Sequence, residues 1–103
     1  RESPAIDIIN DVVRRGATIK AFDPVAMDEA RKWLPEIGYA EDEYDAIRGA
    51  DVLVIITEWN QFRALDMERV KGLLKTPKIA DLRNIYEPDD MRELGFEYVG
   101  VGR

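Results

Sequence analysis

The chain contains no cysteine and no histidine. Without thiols it has no disulfide, no thiolate nucleophile and no cysteine metal site; without imidazole it lacks the commonest general base and metal ligand. Such a chain is poorly equipped for catalysis of its own. Positive charge is also in deficit: 15 Lys and Arg stand against 21 Asp and Glu, for a net charge of -6. No broad basic surface is offered to a nucleic acid or an anionic membrane, so an anionic ligand has to be held by a few placed cations. No apolar run approaches the ~18 residues of a membrane span. The opening RESPAIDII lacks signal-peptide architecture, which makes the cytoplasm the default location. Internal repeats, low-complexity stretches and linkers are missing as well. At 103 residues the sequence predicts one α/β domain over 1–103, too small to hold both a cofactor domain and a substrate domain.

What is present centres on Asp51 to Trp59, DVLVIITEW. Val52, Leu53, Val54, Ile55 and Ile56 follow one another with no polar residue between them, as in a parallel strand covered on both faces. The run predicts a central, buried strand. Ligands of open parallel sheets sit beyond the carboxyl ends of the strands, which draws attention to Thr57, Glu58, Trp59 and Asn60. A core strand followed by a helix cap explains the same residues without a ligand.

Around this strand the pattern alternates. Ser3-Pro4 followed by Ile6, Ile8, Ile9, Val12 and Val13 predicts a helix with Ser as cap and Pro at its first position, ending at Gly16. Arg14 and Arg15 suit the negative end of its dipole. Ala17 to Phe22 reads as a strand before the Asp23-Pro24 turn, and Val25 to Trp33 as a helix. Asp23 stands where an acidic residue of a dinucleotide fold holds ribose hydroxyls. A turn and cap is the favoured reading, because the chain has no G-x-G-x-x-G. Ile37, Gly38 and Tyr39 form a connection or a short edge strand, and Asp42 to Gly49 a short helix. The acids Glu41, Asp42, Glu43 and Asp45 are read as a solvated helix start rather than a metal cluster. Asn60 to Leu65 and Asp66 to Lys75 predict two helical pieces, with Asp66 as a cap and Met67, Val70, Leu73 and Leu74 facing inward.

Lys78, Ile79 and Ala80 predict a brief strand that delivers Asp81-Leu82-Arg83-Asn84 at its carboxyl end. Two readings of Arg83 stand level. A guanidinium there can fork onto phosphate oxygens or a sugar, or the segment is a turn with an Asp81–Arg83 surface pair. A last helix over Asp89 to Leu94, closed by Gly95, and a strand through Phe96, Tyr98, Val99 and Val101 complete the chain. A doubly wound sheet opens with a strand, whereas the first element here is a helix. The expectation is therefore a Rossmann-like three-layer domain with a mostly parallel sheet that lacks its first strand. The start at Arg1-Glu2, with no initiating Met, is that of a fragment or of a processed chain.

Taken together and in order, RESPA, FDP, ADVLVIITEW, DLRNIY and GFEYVGVGR resemble the C-terminal UDP-binding domain of the UDP-glucose/GDP-mannose dehydrogenase family. The TEW and DLRNIY wording is most similar to the bacterial UDP-glucose 6-dehydrogenase branch. The resemblance implies an enzyme in which an N-terminal NAD-binding domain joins this domain through a long helix, with the substrate between them. That family oxidises a sugar alcohol to a carboxylate with two NAD⁺ through a thioester on a Cys upstream of this stretch, so no catalytic residue is expected here. The resemblance implies substrate binding by Arg83, as the Arg of the D-x-R motif, and NAD contact by Arg1, as the Arg of the R-E-S segment. The N-terminal end of the first helix is also a natural place for an anion. Glu58 and Trp59 are expected to cap and pack. Implied partners are UDP-glucose or a related nucleotide sugar, the N-terminal domains of the same enzyme and, at full length, a second copy in a homodimer. The fragment alone is expected to have no dehydrogenase activity and weak or no UDP-glucose binding. The alternative is a free-standing nucleotide-binding or regulatory α/β module. A receiver is disfavoured, since Asp51 stands at the amino end of its strand.

Overall fold

The computed structural model describes residues 4–102, and it resolves into two compact units, Arg1–Ala46 and Ile47–Arg103. The first unit begins with α1 (Pro4–Arg14). Proline at the first helical position sets φ, and Gly16 at φ 101 gives the left-handed turn that ends the helix, which a side chain at that position would strain. Arg14 and Arg15 both pair with Asp11, at 3.3 and 3.0 Å, on the exposed surface. The expected Ser3 cap lies outside the described residues.

β1 (Lys20–Ala21) and β2 (Gly38–Tyr39) pair in parallel, Lys20 opposite Gly38 and Ala21 opposite Tyr39. The stretch from Ile37 to Tyr39 thus contains a true strand, and the strand expected over Ala17 to Phe22 is shorter than its sequence pattern. α2 (Met27–Trp33) connects them and has no buried residue. Apolar burial in this unit falls on Leu34 and Ala40. The Tyr39 hydroxyl donates to the Leu34 carbonyl at 2.7 Å, and Arg31 lies over the Tyr39 ring at 5.0 Å. Burial pushes the Tyr39 phenol up, while the Arg31 charge pulls the other way. α3 (Glu43–Ile47) follows. Two acids near its start bond the backbone: Asp42 accepts the Asp45 N–H at 2.8 Å, and Asp45 accepts the Glu41 N–H at 3.3 Å.

The second unit carries the larger core. β3 (Leu53–Ile55), β4 (Lys78–Asp81) and β5 (Glu97–Gly100) form a parallel sheet in the order β3-β4-β5. Ile55, Asp81 and Gly100 share one row, and Leu53, Ile79 and Tyr98 share another. α4 (Asn60–Arg63) and α5 (Met67–Leu73) join β3 to β4, and α6 (Pro88–Glu93) joins β4 to β5. The Asp66 carboxylate accepts the Arg69 N–H at 3.2 Å, the cap its position predicts. Val70, Leu74, Ile79, Met91, Phe96 and Tyr98 are buried. Fully burying a side chain such as Ile79 or Val70 contributes about 1.5–3 kcal/mol.

One expectation is corrected. The apolar run of β3 predicts a central strand buried on both faces, but among the described residues β4 is the middle strand and β3 an edge. Val52 and Val54 are 41% and 42% exposed while Ile55 is buried. The reason is geometric: side chains alternate across the pleat, so neighbours on one face bury only every second residue of a run.

Candidate functional site

The second unit builds one loop with more precision than its exposure requires, the six residues from Asp81 to Tyr86 at the carboxyl end of β4. Asp81 closes the strand and is fully buried. One carboxylate oxygen accepts the Arg83 N–H at 3.1 Å. The other accepts the Tyr86 N–H at 3.0 Å and the Tyr98 hydroxyl at 2.6 Å. A carboxylate taken out of water is tolerable when its lone pairs are filled in this way. The Tyr98 oxygen also lies 3.1 Å from the Tyr86 carbonyl. Its single proton belongs to the shorter, charge-assisted bond with Asp81. The Tyr86 hydroxyl in turn donates to the Phe62 carbonyl.

Farther along, Asn84 adopts φ 53, the left-handed region that Asn tolerates better than most residues. Its amide accepts the Val101 N–H and donates to the Val101 carbonyl, both at 2.9 Å. The Leu82 N–H extends the sheet by donating to the Ile55 carbonyl at 2.9 Å. Between these anchors, the Arg83 side chain projects to the surface at 45% exposure. One guanidinium nitrogen meets a Glu58 carboxylate oxygen at 2.8 Å, with Glu58 at 53% exposure.

Arg83 is therefore placed at the end of a parallel strand, as the sequence predicts. The surface-pair reading is half right: Arg83 does have an acidic partner, but Asp81 binds its amide and Glu58 binds its guanidinium. Glu58 is not a cap, which corrects the expectation for it. The N-cap of α4 is Trp59, without a side-chain capping bond. Glu58, Asn84 and the carboxylate of Asp81 are contributors that the sequence reading did not assign to the site. The signal for Asn84 is an Asn three residues past a strand end, where a left-handed residue is common. Arg1, the other residue expected to bind, lies outside the described residues.

The other candidates serve the backbone. Asp23 accepts the Val25 and Ala26 N–H groups at 2.8 and 2.9 Å, the turn expected of Asp before Pro. Among the described residues no group of three or more acidic side chains is arranged to hold a metal ion. The glycine-rich turn of a dinucleotide site is not found in the loops after β1 and β3. These carry Asp23-Pro24 and Thr57-Glu58-Trp59, without the glycines that let a backbone approach a pyrophosphate. No described helix is long and apolar enough to cross a membrane.

Comparison with known proteins gives the family and the fold. A UDP-glucose 6-dehydrogenase of Rhizobium meliloti (strain 1021) is 48% identical over 103 residues, all of this chain and 24% of the relative. One from Pseudomonas aeruginosa is 39% identical over 109 residues, again 100% of this chain and 24% of the relative. The crystal structure of an NDP-N-acetyl-D-galactosaminuronic acid dehydrogenase from Methanosarcina mazei Go1 matches all of this chain and 21% of its own. Its TM-score is 0.81 and its identity 25%, which gives the α/β, Rossmann-like fold. The chain spans about a quarter of the length of these relatives. Residues 1–88 match the family model described as "UDP-glucose/GDP-mannose dehydrogenase family, UDP binding domain", and the chain belongs to that family.

Proposed function

We propose that residues 1–103 act as one UDP-sugar-binding domain of a UDP-glucose 6-dehydrogenase, with Arg83 contacting the nucleotide sugar. The observation that carries the reading is the anchoring of Arg83: a fully buried carboxylate fixes its amide, and the guanidinium stands at the carboxyl end of a parallel strand. That is where ligands of such sheets bind. Arg suits the task because its planar fork presents several donors at once.

The reaction of the whole enzyme is the oxidation of the C6 alcohol of UDP-glucose. Two hydrides pass to two NAD⁺, water supplies the second oxygen, and UDP-glucuronate, two NADH and three protons result. NAD binds chiefly outside this chain, with Arg1 of the R-E-S segment as a contributing cation. The remaining partners are the N-terminal dehydrogenase domains and a second subunit in a homodimer, and the location is the cytoplasm. The residues of this chain bind and orient; the redox chemistry and its thioester lie elsewhere in the enzyme.

Arg83→Ala in the full enzyme should weaken UDP-glucose binding by about 2 kcal/mol, close to 30-fold, as expected for loss of a charged hydrogen bond. Calorimetric titration of both proteins measures this, and an unchanged Kd removes Arg83 from the site.

A further inference from the structure

We infer that Glu58 is a positioning residue for Arg83, holding the guanidinium ready for the nucleotide sugar. The inference rests on the reading of Arg83 given above. It starts from register: Ile55 and Asp81 stand opposite each other in the β3–β4 ladder, and the Leu82 N–H donates to the Ile55 carbonyl at 2.9 Å. Glu58 lies three residues beyond Ile55 and Arg83 two beyond Asp81, so the sheet itself brings the two loops together.

The contact is monodentate. One guanidinium nitrogen meets one Glu58 oxygen at 2.8 Å. A guanidinium has five N–H donors, so this contact leaves most of the fork for a ligand. Arg83 is thereby held at both ends, its amide by Asp81 at 3.1 Å and its guanidinium by Glu58. An exposed Arg otherwise samples many rotamers, and ordering it on binding weakens the complex. Glu58 removes part of that cost before the ligand arrives.

The alternative role for a carboxylate here is competition, in which Glu58 occupies the guanidinium and the ligand has to displace it. The two roles predict opposite signs. Calorimetric titration of the full-length enzyme with UDP-glucose, across wild type, E58A, E58Q, R83A and E58A/R83A, separates them, with melting temperatures confirming that each protein is folded. Positioning predicts that E58A weakens binding about 3- to 10-fold. E58Q, which keeps an acceptor oxygen, should recover part of that loss. In the R83A background E58A should have no further effect, because the residue it positions is gone. Tighter or unchanged binding in E58A overturns the inference, and so does an E58A loss that persists in full on top of R83A. If those results come with a weakened R83A, the binding role of Arg83 stands and only the role of Glu58 falls. An unchanged Kd in R83A overturns both.

Discussion

Two aspartates stand at or just past strand ends in this chain, and they do different work. Asp23, after β1, accepts the N–H groups two and three residues ahead, a turn that any Asp before Pro can make. Asp81, at the end of β4, accepts from residues two, five and seventeen positions ahead and is fully buried. The first shapes its own turn. The second fastens a loop to β5, and the loop carries an arginine to the surface. The type of residue is the same; what sets Asp81 apart is that one of its partners, Tyr98, belongs to another strand, β5. The loop proposed to meet the ligand is distinguished by long-range anchoring rather than by the type of residue that anchors it.

Substitutions test this difference, and the largest effect is expected at Asp81. Asp81→Ala deprives the Arg83 and Tyr86 amides and the Tyr98 hydroxyl of a buried partner and should destabilise the protein by about 3 kcal/mol or more, read from urea unfolding. Next is Asn84→Ala, which loses both bonds to Val101 and puts Ala at a positive φ; about 2 kcal/mol is expected. Asn84→Gly, which accepts that φ, should recover part of the loss. Asp23→Ala should cost about 1 kcal/mol or less, the scale of an exposed cap. If Asp23→Ala proves as damaging as Asp81→Ala, the distinction between a local turn and an anchored loop does not hold.

Much of this arrangement was legible in the sequence, for a physical reason. Features set by neighbours in the chain could be read directly: Pro4 at the start of α1, Gly16 at its end, the Asp66 cap, and Arg83 just past a strand. The Gly95 turn is of the same kind, at φ 98. Features set by register could not. Glu58 and Arg83 are 25 residues apart and meet because Ile55 pairs with Asp81. Nothing within TEW or DLRNIY states that register. The burial of β3 was misread for a related cause: an apolar run records the chemistry of a strand but not which of its faces has neighbours, and Val54 is exposed where two-sided burial was expected. The left-handed turn at Asn84 lies between these cases, since Asn permits it but the bonds to Val101 select it.

The central claim is that the loop anchored by Asp81 presents Arg83 to a nucleotide sugar. A crystal structure of the full-length enzyme with UDP-glucose bound tests it most directly. The account predicts an Arg83 guanidinium nitrogen within about 2.7–3.2 Å of a ligand oxygen, with Glu58 still on the same guanidinium. A well-ordered UDP-glucose with no atom in contact with Arg83 would contradict it.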